Sequence, residues 1–354
     1  MRVLITGGGG FIGSHVAEDY ARQGHDVIVL DNLSRARLLG HGERNASYAW
    51  NQLATIANVT LVKGSVLDRA LVREIVGTVD AIVHAAAQTA VTSSVVDPTT
   101  DFETNVIGTF EILEAARLTG RKIPMVFTST NKVYGDNVNR LPVVERPRRY
   151  EFERGYESGV PETLQVDGCE HTPYGTSKLA ADLYVQEYAR LYRLPTAVFR
   201  MSCIYGPRQF GVEDQGWVAH FVISVLTGAA LTIYGDGRQV RDVLFVEDLV
   251  KAIRGFIANA LSLPEGLVCN VGGGSRFTLS LLELLDILER ETGRRAEIRF
   301  APWRPSDQRA YVSDIRRIGS VLGWTPETPP IEGVRTLIRW IFEHIELFPK
   351  EEPR

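Results

Sequence analysis

Tyr174 and Lys178 stand four residues apart in Y-G-T-S-K. On a helix that spacing puts both side chains on one face. A phenol has a pKa of about 10, so it is a poor base at neutral pH unless a nearby cation stabilises its anion. A Tyr–Lys pair can then take a proton from an alcohol while a hydride leaves the same carbon. Alone, the spacing equally suits an ordinary solvated helix pair, and it gains meaning only beside a hydride acceptor. A second polar cluster, S-T-N-K-V-Y-G-D from Ser129 to Asp136, follows the apolar run Ile123–Phe127. Hydroxyls, an amide, an ammonium, a phenol and a carboxylate are thus gathered where a buried strand ends.

A hydride acceptor has its own signature near the N-terminus. In I-T-G-G-G-G-F-I-G, Gly7, Gly10 and Gly13 recur at every third position between a strand and a helix. Glycines permit the tight turn and a close approach to a pyrophosphate, and the helix N-terminus offers free N–H groups to the anion. The next strand ends in Asp31, whose carboxylate can accept from a ribose diol and would repel a 2′-phosphate. That favours NAD over NADP. Arg35 and Arg37 argue the other way, but Asp31 holds the strand end itself.

The elements that must position these residues alternate. Apolar runs at Arg2–Ile5, Val27–Leu30, Val59–Val62, Ala81–Val83, Ile123–Phe127 and Thr196–Phe199 read as strands buried on both faces of a parallel sheet. Helices are expected at Phe11–Gln23, Asp101–Arg117 and Tyr174–Tyr192. This is an α/β chain with a Rossmann-type doubly wound parallel sheet, expected over residues 1–200. Residues 201–354 are expected to form a smaller mixed α/β substrate-binding lobe. From it, the strand near 267–271 and the helix 247–260 return to the first domain. Further helices are expected near Gly216–Leu226, Leu279–Thr292 and Ile331–His344. Asn137–Thr172 reads as a long surface loop.

Composition narrows the partners. The chain has 354 residues, 44% hydrophobic and 23% charged, with a net charge of -4. Nothing there draws it to nucleic acid or an anionic membrane. No apolar stretch nears the ~20 residues of a membrane span, and no signal peptide is evident, so a cytoplasmic protein is expected. Cys169, Cys203 and Cys269 are too sparse for a disulfide framework, and no spacing suits a metal.

T-G-G-G-G-F-I-G, H-A-A-A-Q, N-V-I-G-T, S-T-x-x-V-Y-G and Y-x-x-x-K occur in this order along the chain. Together they resemble the extended short-chain dehydrogenase/reductase superfamily of NAD-dependent nucleotide-sugar epimerases and dehydratases. S-T-N-K-V-Y-G-D, D-Q-G-W-V, G-D-G-R-Q-V-R-D-V-L and S-D-Q-R are most similar to the CDP-tyvelose (CDP-paratose) 2-epimerases. The resemblance implies that Tyr174 is the base. Lys178 would hold the nicotinamide ribose and lower the Tyr174 pKa, and Thr130 would bind the reacting sugar hydroxyl. Dinucleotide contacts would fall on Gly7, Gly10, Phe11, Ile12 and Gly13, then on Asp31, Asn32, Ser34 and Arg35. They would continue with Ser65 and Val66, with Ala85, Ala86, Ala87 and Gln88, and with Asn105 and Thr128. On the substrate side it implies Asn131, Arg208, Gln209 and Gln239. Arg241 and Arg309 are the candidates to grip the diphosphate, because a guanidinium pairs bidentately with phosphate. A homodimer is expected, paired through helices 101–117 and 174–192.

Two positions depart from the superfamily pattern. Ser65 stands where an acid usually follows Gly64, and Cys203 falls where many 4-epimerases carry an asparagine. Cys203 reads as a small buried hydrophobe rather than a nucleophile. The expected function is a CDP-sugar 2-epimerase, with a UDP-sugar 4-epimerase of the UDP-glucose or UDP-glucuronate type as the alternative. A 4,6-dehydratase and a non-catalytic NAD-binding regulator rank below both. Elimination needs an acid and a base, which such dehydratases carry as Asp–Glu directly after the threonine. Here the pair is Asn131–Lys132, and neither an amide nor a charged ammonium fills those roles.

Overall fold

The computed structural model describes residues 1–34, 43–304 and 307–348. Its centre is a seven-stranded parallel sheet. The strands are β1 (Arg2–Thr6), β2 (Asp26–Asp31), β3 (Val59–Lys63), β4 (Ala81–His84), β5 (Met125–Thr130), β6 (Thr196–Met201) and β7 (Leu267–Val271), in the order β7-β6-β5-β4-β1-β2-β3. β4, β5 and β7 are buried along their whole length. Helices on both faces leave no solvated side, which is why these runs lack the alternation of a half-exposed strand. The chain moves outward from β1 to β3, then crosses back to β4 on the other side of β1. A ligand crevice opens where that order reverses, at the carboxyl ends of β1 and β4. β7 does return to the sheet, and helix Val246–Asn259 packs on it through Leu249, Ile253 and Phe256.

Helices Trp217–Thr227, Leu281–Thr292 and Pro330–Glu343 build a second core around Val222, Leu284 and Leu337. Strand Val240–Phe245 runs beneath it, parallel to Cys203–Tyr205. Among the described helices, none is long and apolar enough to cross a membrane.

Three expectations change. Asn137–Thr172 is not a plain surface loop. Val143–Glu145 and Tyr150–Phe152 pair as an antiparallel hairpin, and Val138, Leu141 and Val160 are buried against Tyr134 and Tyr311. Its order comes from contacts distant in sequence, which local composition does not show. Helix 101–117 is not continuous. It runs as Pro98–Phe102, a π-helical turn Glu103–Ile107, then Gly108–Leu118. Such turns often mark functional positions, and here the turn carries Asn105. Helices Glu43–Leu53 and Arg69–Val76 add to the elements foreseen.

His84 ends β4 and is fully buried. Its Nδ1 lies 2.7 Å from Thr6 Oγ1 and its Nε2 lies 3.0 Å from Thr109 Oγ1. Thr109 gives its own proton to the Asn105 carbonyl at 2.6 Å, so the Nε2–H tautomer donates to Thr109. Burial, aided by Lys178, pushes the His84 pKa from 6.5 down to about 3. Between those values the unfolded chain binds a proton that the folded chain refuses, so stability rises with pH across that window. Below pH ~6, His84 is expected to contribute a slope of about 1.4 kcal/mol per pH unit. Urea unfolding at pH 5 and pH 7 should show it, and His84→Gln should flatten the dependence by that amount.

Candidate active site

The glycine turn is built by exclusion. Gly7 has φ +69°, and a Cβ there would lie 2.6 Å from the Ala86 nitrogen. A Cβ on Gly13 would overlap the Gly7 carbonyl. Helix Phe11–Arg22 starts from Gly10 with no side-chain cap and no acid in its first turn. Its first N–H groups are left for a ligand. Asp31 closes the turn: Oδ2 accepts from the Gly9 N–H at 2.9 Å and Oδ1 from the Leu33 N–H at 2.7 Å. This cradle, with an acid at the end of β2, fits a dinucleotide.

The cradle forms one pole of a cavity of about 960 Å³. Gly7, Gly10, Phe11, Ile12, Gly13, Asp31, Asn32 and Ser34 line it. So do Ser65, Val66, Ala85, Ala86, Ala87 and Thr128. Arg35 and Arg37 lie outside the described residues. Gln88 and Asn105 are not on the cavity wall. Asn105 Oδ1 accepts from the Gln88 N–H at 2.9 Å, and its Nδ2 donates to the Gln88 carbonyl at 3.1 Å and to Ser177 Oγ at 3.0 Å. Both residues therefore buttress the wall. The π-helical turn aims the Asn105 amide at the β4 loop and the Tyr174 helix together.

Thr172 caps helix Pro173–Tyr192, accepting from the Gly175 N–H at 3.3 Å, and Pro173 opens its first turn. Asp182 of that helix accepts from Arg200 Nε at 2.9 Å and from Ser129 Oγ at 3.0 Å, all three buried. Lys178 Nζ donates to the Thr128 carbonyl at 2.7 Å and sits 4.1 Å from the Phe127 ring centre. These anchors set the Tyr174 phenol beside the Thr130 side chain in the cavity wall. Tyr134 lies beneath, its hydroxyl donating to Asn270 Oδ1 at 2.7 Å.

Burial dominates the acid–base properties of the pair. Burial pushes Tyr174 up to about 12, with Thr130 opposing and Asp101 adding to the rise. Burial pushes Lys178 down to about 7, partly offset by Asp182 and Asp101. The Lys178 ammonium is held on the Thr128 carbonyl and the Phe127 face.

The second lobe supplies the other pole. Asn131, Gln209, Gln239 and Arg241 line the cavity, and so does Cys203, half-buried, with its thiol pushed up by burial. Arg208 also lines it, but its guanidinium turns to Glu18 of the first helix at 2.8 Å and to His15. Arg309 is not brought to the cavity: it is exposed and lies 5.8 Å from the Tyr150 ring centre. It directly precedes the buried strand Ala310–Tyr311, with its side chain on the solvent side. Arg304 lines the cavity instead, paired with Glu213 at 2.9 Å and Asp214 at 3.0 Å. Lys132, Asp307 and Gln308 line it too. Asp307 and Gln308 arrive from a distant loop, which no spacing marks, whereas Lys132 stands beside Thr130 in the sequence.

The sequence profile of the NAD dependent epimerase/dehydratase family matches residues 3–272. The chain therefore belongs to that family, within the extended short-chain dehydrogenase/reductases, and is an NAD-dependent isomerase. It is 38% identical over 352 residues to CDP-paratose 2-epimerase of Salmonella typhi, spanning 96% of this chain and 99% of that one. Among solved structures it resembles UDP-glucose 4-epimerase of Thermotoga maritima with UDP-glucose. That match has TM-score 0.79 and 30% identity, covering 98% and 100% of the two chains. UDP-glucose 4-epimerase of Thermus thermophilus with NAD matches at TM-score 0.76 and 32% identity, covering 97% and 99%.

Asp101 was not foreseen. It is buried, accepts from Asn105 Nδ2 at 3.2 Å, and its charge raises both Tyr174 and Lys178. Asp101→Asn is expected to lower the Tyr174 pKa and move the acidic limb of the kcat–pH profile to lower pH. A lower kcat with an unmoved profile would reduce Asp101 to packing.

Proposed function

We propose that this chain is an epimerase of nucleotide-diphosphate hexoses, with a CDP-sugar inverted at C2, of the CDP-paratose/CDP-tyvelose type, as its substrate. The observation that carries the reading is the pair Asn131–Lys132 in the cavity wall beside Thr130 and Tyr174. The Thr–Tyr–Lys set can oxidise an alcohol, and its neighbours offer no acid and base for elimination. The 38% identity to a CDP-paratose 2-epimerase along nearly the full chain supports the nucleotide and the carbon. A UDP-sugar 4-epimerase is the second reading, favoured by the fold match to a UDP-glucose complex.

NAD supplies a hydride acceptor that returns the hydride within each turnover. The Gly7–Gly13 cradle would hold its pyrophosphate, Asp31 its adenosine ribose and Lys178 its nicotinamide ribose. Tyr174 takes the proton from the hydroxyl whose carbon becomes a ketone, while Thr130 holds that oxygen. After the keto-sugar turns, Tyr174 gives the proton back. The buried phenol is a stronger base, once ionised, than a solvated one, and the cations around it must stabilise that ion.

Arg241 and Arg304 grip the diphosphate, each exchanging a carboxylate for phosphate. Arg241 now pairs with Asp307 at 2.8 Å and Arg304 with Glu213 and Asp214. Arg304→Gln is expected to weaken binding of the nucleotide sugar by tenfold or more, about 1.4 kcal/mol. Arg309→Gln should leave it unchanged, and titration calorimetry of the two variants separates them. Product identification by NMR from CDP-, UDP-, GDP- and dTDP-hexoses tests the substrate. Turnover of only UDP-sugars at C4 would replace the first reading by the second.

A homodimer accounts for the apolar side chains exposed on the helices between residues 91 and 192. Val96 is 87% exposed, Leu191 62%, Phe102 52% and Leu183 50%. So much apolar surface on neighbouring helices calls for a partner. Light scattering should give twice the chain mass, and a monomer at all concentrations would overturn the assembly.

A further inference from the structure

Lys132 has no task in this scheme beyond not being a carboxylate, yet its surroundings are specific. Its backbone is locked to the reacting centre from two sides. The Lys132 N–H donates to Thr130 Oγ1 at 3.2 Å. Its carbonyl lies so close to the catalytic helix that a Cβ on Gly175 would come within 2.9 Å of it. One residue on, His171 Nε2 lies 2.9 Å from the Val133 carbonyl and ties the turn to the chain entering that helix. The root of the side chain is thus fixed relative to Tyr174 and Thr130.

The side chain lines the cavity, as do Arg241, Asp307 and Cys203, whose charges act on its ammonium. Among the described residues this ammonium makes no hydrogen bond and no ion pair. Asp307, the carboxylate that faces it, is already bound by Arg241 at 2.8 Å and by the Gln308 N–H at 2.9 Å. Burial and the Arg241 charge hold Lys132 below the usual lysine pKa. Three donors in a cavity wall with no protein acceptor are available to the oxygens of a ligand.

We infer that Lys132 is a substrate-contacting residue, whose ammonium donates to the oxygen substituents of the hexose beside the carbon served by Thr130 and Tyr174. The inference rests on the nucleotide-sugar reading above and names the group that holds the sugar itself. Its root lies one hydrogen bond from Thr130, whereas Arg241 and Arg304 belong to the second lobe. A guanidinium is a planar fork that suits phosphate. An ammonium is a compact charge with three rotatable donors that suits clustered hydroxyls. Such donors keep contact while the ring turns, which a rigid fork would not allow. Lys132 thereby selects the sugar, while the arginines select the nucleotide diphosphate.

Calorimetry on the NAD-loaded protein tests this with CDP and CDP-glucose, and with UDP and UDP-glucose in parallel. Lys132→Met is expected to bind the nucleoside diphosphate within about twofold of wild type and to lose about tenfold or more in affinity for the sugar nucleotide. Its NAD content and thermal midpoint should match wild type, and Lys132→Gln is measured alongside in case the Met variant does not fold. Equal losses for diphosphate and sugar nucleotide would mean that the ammonium serves the phosphates, and would overturn the inference. Unchanged affinity for both would overturn it as well. A wild-type protein that binds neither nucleoside diphosphate overturns the nucleotide-sugar reading, and this inference with it.

Discussion

The buried Asp182–Arg200 ion pair is the constraint on which the site depends. It joins the catalytic helix to β6, while Ser129 on the same carboxylate joins it to β5. A charge buried in this way is tolerable only when paired and hydrogen-bonded, and removing one partner typically costs ~3–5 kcal/mol. The clamp holds Lys178 over the end of β5 and brings Tyr174 against Thr130. Every group proposed to handle the sugar hydroxyl is therefore set by one helix pressed on one strand end. The same burial that fixes the geometry also moves the acid–base equilibria, raising the phenol and lowering the amine.

Around that clamp the cavity has two unlike ends. One is backbone, with glycines, a helix N-terminus and a carboxylate at the end of β2. The other is side chain, with Arg241, Arg304 and Lys132 set among Asp307, Glu213 and Asp214. The segment between Pro207 and Gln215 ties the two together. Pro207 and Arg208 meet His15 and Glu18 on the first helix, and Asp214 accepts from Thr92 Oγ1 at 2.9 Å. On the proposed reading, a nucleotide sugar entering this space displaces the ion pairs of Arg241 and Arg304 and meets the open charge of Lys132. That suits a reaction in which the nucleotide must be gripped while the sugar turns.

Much of this was legible in the sequence, and the reasons are local. Strands buried on both faces are nearly unbroken apolar runs, so β1, β4, β5, β6 and β7 stand out. The glycine turn and Tyr174–Lys178 encode their geometry in spacing. Legibility ended where structure comes from distant contacts. The hairpin 143–152 looks like loop because its stabilising partners, Tyr311 among them, lie far along the chain. The π-helical turn at Asn105 breaks a helical period that apolar spacing alone would continue. Arg309 stands in a recognisable motif, but a motif shows the presence of an arginine and not whether its side chain reaches the cavity. Lys132 was visible as an oddity beside Thr130, yet its unpaired ammonium becomes apparent only once Asp307 is seen bound to Arg241.

The central claim is that one carbon is oxidised and reduced inside a closed site, with its hydrogen retained. Turnover in D₂O, followed by NMR and mass spectrometry of the epimerised sugar, tests it most directly. The account predicts inversion with no deuterium bonded to the inverted carbon. Deuterium there would mean that the proton was removed to solvent and replaced, an enolisation that contradicts the roles given to Thr130, Tyr174 and Lys178.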